Sequence, residues 1–143
     1  LAAALLLFAF GWWAWPHLRE SSPAHLSIYQ ARRDAQLAQV ADPPQKAFAL
    51  LRLAEEMLGE TGPAQAEGFA VAMEELMNID LPFWASEVAI EQRPALLEQL
   101  RQLESRSARL AAQARGERLS RALDQAALSA RLTDRRLRTQ WGT

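Results

Sequence analysis

Apolar residues recur along most of this chain at spacings of three and four, which is the period of a helix with one buried face. Prolines punctuate the pattern. Pro23, Pro43, Pro63, Pro82 and Pro94 each precede an amphipathic stretch. A proline is well tolerated in a first helical turn, where its missing N–H would have no intrahelical partner anyway. Ser22 and Asp42 stand where N-caps belong. Val, Ile and Thr are sparse and no segment alternates strictly, so strands are not expected.

The pattern predicts five helices after an N-terminal apolar run. The first covers about 23–41, with Leu26, Tyr29, Leu37 and Val40 on one face. The second covers about 43–59, with Phe48, Leu51, Ala54 and Leu58 in register. The third covers about 63–78 and presents Phe69, Met73 and Leu76. A short fourth follows Pro82 around Phe83, Trp84 and Val88. The last starts near Pro94 and continues to about Arg138. Gly59 and Gly62 bracket a turn, so helices two and three form a hairpin. That pair lacks tetratricopeptide spacing and has no second copy, so it is not a solenoid unit.

The last helix changes character midway. Leu96, Leu100, Leu103 and Leu110 form a heptad-like, coiled-coil seam. Carried forward, the same face meets Arg115, Arg118 and Arg121, and Gly116 sits at the changeover. The helix either bends or breaks there, or stays straight and changes partner. Beyond it, Leu119, Leu123, Leu137 and Trp141 share one face, while Leu128 and Leu132 lie nearly opposite. Two opposed apolar faces cannot both be buried against one neighbour. The expected partner interface therefore comprises Leu119, Leu123, Leu128, Leu132, Leu137 and Trp141, with Arg131, Arg135 and Arg138 alongside.

The N-terminal run Leu1–Trp15 reads LAAALLLFAFGWWAW, without a charge. As a helix it spans roughly 22 Å, short of a ~30 Å hydrocarbon core, and it starts without Met. It reads as an incomplete single-pass anchor built from Leu5, Leu6, Leu7, Phe8, Phe10, Trp12, Trp13 and Trp15. The indoles mark the interface. A cleaved signal peptide fits less well, because no small-x-small site follows; a buried core helix is the remaining alternative. The expected organisation is an anchor over 1–18, a helical hairpin or bundle over 19–92 and a long basic helix over 93–143. The fold class is all-α.

Charge is distributed unevenly. Residues 1–100 carry a balance of −7 and residues 101–143 a balance of +6, within a net −1. An acidic body joined to a basic tail suggests an internal dock, an acidic partner or an anionic surface. Nucleic acid is not expected as a partner, since Glu104, Glu117, Asp124 and Asp134 interrupt the arginines and few aromatics are interleaved. Glu117–Arg121 and Asp134–Arg138 are i,i+4 pairs suited to a solvated face. Lys46 is the one lysine among sixteen basic residues.

Little points to chemistry. There is no Cys, which removes thiol nucleophiles and thiolate metal sites. His17 and His25 lack a third ligand nearby. Glu55–Glu56 and Glu74–Glu75 lack the Glu-x-x-His motifs of a carboxylate metal bundle. Met57, Met73 and Met77 read as core filler. Arg33, between Tyr29 and Leu37, is expected to snorkel, with pairing to a buried carboxylate or binding of a partner as the alternatives. Phe83 and Trp84 are either an exposed aromatic anchor or a cap on the core. No cofactor, metal or enzymatic activity is expected. The pattern points to a bitopic interaction protein, a subunit or assembly factor of a bacterial inner-membrane complex with its body in the periplasm. Its partners would be other membrane subunits and the bilayer, in a homo- or hetero-oligomer. A membrane-tethered chaperone for an exported protein is the alternative.

Overall fold

The computed structural model describes residues 22–142, all helix, turn or short connection. The anchor expectation, on Leu5, Leu6, Leu7, Phe8, Phe10, Trp12, Trp13 and Trp15, lies outside the described residues, as does His17. Among the described residues no helix is long and apolar enough to cross a membrane.

Six helices make up the described chain: α1 Ser22–Ala38, α2 Lys46–Glu60, α3 Ala66–Glu75, α4 Leu81–Ala85, α5 Arg93–Gln113 and α6 Glu117–Trp141. Short 3-10 turns holding Pro43 and Pro63 lead into α2 and α3. Asp42 occupies the expected N-cap position but its side chain makes no capping hydrogen bond. Lys46 does more at this corner. Its Nζ donates to the carbonyls of Leu37 and Val40 at 2.9 and 2.8 Å, satisfying acceptors at the end of α1. It also lies 5.2 Å from the centre of the Trp84 ring.

α2 is the central helix. Ala47, Ala49, Leu50, Leu51, Leu53, Ala54, Met57 and Leu58 are all buried, so apolar side chains cover most of its circumference. α1, α4 and α5 pack around it, and α3 bridges α1 to α6. Leu96, Leu100 and Leu103 are fully enclosed by this chain. The heptad-like seam is therefore spent on the internal core.

The long C-terminal helix is two helices. α5 ends at Gln113, and Ala114, Arg115 and Gly116 reverse the chain so that α6 returns along α5. Gly116 has φ +93°, a conformation that L side chains rarely adopt. The Ser120 hydroxyl donates to the Ala111 carbonyl at 3.0 Å and ties the two arms together. Small residues allow close approach: Ala111 and Ser107 on α5, and Ala122, Ala126 and Ala130 on α6, are buried. α6 ends at Gly142, in a left-handed cap whose N–H reaches the Arg138 and Thr139 carbonyls.

The third and fourth predicted helices also differ from expectation, because no loop separates them. α3 passes through one π turn, Leu76–Asp80, directly into α4. Pro82 supplies the reason. It has no N–H for the carbonyl of residue 78 and its ring crowds that carbonyl. The Leu81 N–H reaches back to Leu76 instead. The carbonyls of Met77 and Asn78 thus lose their usual i+4 donors. α6 supplies replacements: Thr133 Oγ1 donates to Met77 at 2.9 Å and Arg136 Nη1 to Asn78 at 2.9 Å.

Candidate protein interfaces

Three surface features stand out, and they differ in chemistry. The first is the outer face of α6. Its inner face, with Leu119, Ala122, Leu123, Ala126, Ala130, Thr133 and Leu137, is buried against the rest of the bundle. Leu119, Leu123 and Leu137 are therefore corrected from partner contacts to ordinary core. Trp141 is half-buried, with the Arg93 guanidinium 5.1 Å from its ring centre. Leu128 and Leu132 keep 40% and 50% of their surface exposed. Positions 128, 131, 132 and 135 are spaced i, i+3, i+4 and i+7, so Arg131 and Arg135 lie along one side of the two leucines. Both arginines are exposed. Arg138 is bound instead to Asp134, donating from Nε at 2.6 Å.

Among the described residues the basic and acidic parts meet in the Arg106–Glu55 ion pair between α5 and α2, and within α5 in Arg101–Glu98. Arg121 pairs with Glu117 one turn away, and Arg136 holds the Asn78 carbonyl.

The second feature is a polar cluster around the π turn. Tyr29 donates its hydroxyl to Asp80 Oδ2 at 2.6 Å, and Arg33 Nη1 lies 3.2 Å from Oδ1. Arg33 also bonds Asp34 and sits 5.9 Å from the Tyr29 ring centre. The buried-carboxylate alternative for Arg33 is thus realised at Asp80, while its Nε still reaches the exposed Asp34. Tyr29 is nearly inaccessible, at 3%. Its burial pushes the phenol far above the ordinary tyrosine range, and the Asp80 carboxylate adds to the rise. Burial also raises the Glu75 carboxyl, helped by Asp80. Asp80 escaped the sequence reading because an Asp before Leu-Pro looks like a turn residue. Only the π turn aims it inward.

The third feature is a groove of about 280 Å³ between α1, the end of α2 and α3. Ile28, Tyr29, Met57, Phe69 and Ala72 give it apolar walls. Three carboxylates stand near its rim: Glu56, Glu60 and Glu67, all about half exposed or more. Arg32 reaches both Glu60 oxygens at 2.7 Å and Glu56 at 3.5 Å, and this contact holds the Glu60 carboxyl below its usual range. Gly68 makes room for His25, whose Nδ1 would be 3.0 Å from any added Cβ. The periodicity of α1 did not flag this groove, because Ile28 falls off the Leu26–Tyr29 face and stays 68% exposed.

Phe83 and Trp84 divide the two roles weighed for them. Phe83 is exposed, and Trp84 packs on the core with its ring edge-on to Phe83 at 5.1 Å. Among the described residues no group of three His, Asp or Glu is placed to hold a metal ion. No known protein family, curated protein or solved structure matches the chain.

Proposed function

We propose that this chain is a membrane-tethered docking subunit or assembly factor of a bacterial envelope complex, working through the outer face of α6. The observation that carries the proposal is Leu128 and Leu132, exposed side by side next to Arg131 and Arg135 on a fold whose core is complete without them. A pair of aliphatic side chains with arginines beside it suits a helix or groove of opposite charge. The apolar run 1–15 supplies the tether in this proposal, with the body on the periplasmic side of the inner membrane. Confinement to a bilayer raises the effective concentration for other membrane components, so a modest surface suffices.

The test is purification of the tagged full chain from membranes in mild detergent. The expected result is one or more companions in fixed stoichiometry, lost on Leu128→Ser/Leu132→Ser while the melting temperature stays unchanged. Companions that survive the double substitution would refute the α6 assignment. A chain that unfolds on the double substitution would place those leucines in the core and refute it equally.

A further inference from the structure

We infer that the outer face of α6 docks into the α1–α2–α3 groove of a second copy of the same chain. This names a partner for the face on which the proposed function rests. The two surfaces are complementary in polarity and in charge. The α6 ridge offers Leu128 and Leu132 with Arg131 and Arg135 beside them. The groove offers the exposed Ile28 over a nearly buried floor of Tyr29, Met57 and Phe69, and its rim carries Glu56, Glu60 and Glu67 against the guanidinium of Arg32 and the imidazole of His25. The −7 and +6 halves of the sequence are the same asymmetry at a larger scale.

One copy cannot make this contact with itself. No residue of α5 or α6 lines the groove, and α6 turns its opposite face to the bundle. Pairing two α6 ridges about a two-fold axis would bring Arg131 and Arg135 of both copies to one seam with a single carboxylate, Asp124, from each, so the seam stays net positive. The ridge-to-groove contact joins unlike patches: two copies either engage both ways at once as a two-fold dimer, or each copy uses its ridge on one neighbour and its groove on another. Contacts of the second kind close into rings or extend as filaments. Two helical turns laid in a small groove bury less than a standard interface, so association in solution is weak and gains from confinement in a membrane.

Complementation tests this directly. The full chain in mild detergent is followed by sedimentation velocity over a concentration series, with the micelle mass subtracted. The wild type is expected to grow beyond the monomer as concentration rises and to shrink back as ionic strength rises. Leu128→Ser/Leu132→Ser removes the ridge. Ile28→Arg/Ala64→Trp blocks the groove from exposed positions. Each variant alone is expected to associate at least about tenfold more weakly, with unchanged helical circular dichroism. Mixed in equal amounts, the two leave one intact ridge and one intact groove, so they form one-to-one dimers and nothing larger.

A wild type that stays monomeric throughout, or two variants that fail to recombine, would overturn the inference. So would a monomer that uses Leu128 and Leu132 only to bind phosphatidylglycerol vesicles. A monomeric chain that still loses its membrane companions on Leu128→Ser/Leu132→Ser overturns self-docking and leaves the functional proposal standing. Complementation without any companion does the reverse.

Discussion

Tyr29 is the only tyrosine in the chain, so its ionisation can be watched without ambiguity. Its hydroxyl is buried and donates to Asp80 at 2.6 Å, inside the cluster that joins α1 to the π turn. Deprotonation would set a phenolate against a carboxylate in a site with little access to water. The folded chain therefore keeps this proton well above the ordinary tyrosine value of about 10, while the unfolded chain releases it there. Above that pH the folded state holds one proton more than the unfolded state, so stability falls as pH rises, by about 1.4 kcal/mol per pH unit. One and a half units would remove about 2 kcal/mol, a large share of a typical domain's 5–15 kcal/mol. In an alkaline titration, tyrosinate absorbance and helical circular dichroism should change together, in one step displaced well above pH 10. Tyr29→Phe should flatten the alkaline fall in stability by that one proton, at a cost of about 1–3 kcal/mol near neutral pH for the lost hydrogen bond. A shallow one-proton tyrosinate curve centred near pH 10, with the helices intact, would mean that the hydroxyl faces water and that the Tyr29–Asp80–Arg33 cluster does not form.

Other substitutions probe different parts of the fold. Gly116→Ala meets no atom within 4 Å, so its expected loss of about 1–3 kcal/mol comes from backbone strain alone; urea unfolding as resistant as the wild type would refute the hairpin turn. Ser107→Ala should raise stability by about 1 kcal/mol, because the Ser107 hydroxyl is fully buried without a hydrogen-bond partner and alanine is the better helix former; a lower melting temperature would count against it. Lys46→Ala should speed amide hydrogen exchange around residues 37–42, where two carbonyl contacts and the stacking on Trp84 are lost, and unchanged exchange there would show that the corner holds without it.

The helices themselves are legible in the residue order, because their causes are local. A proline needs no N–H partner in a first turn, and a period near 3.6 collects apolar side chains on one stripe. That suffices to place α1, α2 and α3 within a few residues, to mark Gly116 as a changeover and to separate Leu128 and Leu132 from the opposite stripe of α6. Three matters depended on which helices meet. Gly116 could bend, break or leave a straight arm, and the choice fell to the packing of α6 against α5 and α3, which encloses Leu119, Leu123 and Leu137. Pro82 reads locally as a new helix start, yet the chain runs through it, because Thr133 and Arg136 lie more than fifty residues away in sequence and satisfy the carbonyls it releases. The groove beside Ile28 belongs to three helices at once, so no single stripe announces it. A backbone carbonyl or an apolar wall acquires its partner only when distant segments are brought together, and spacing along one helix carries no information about that distance.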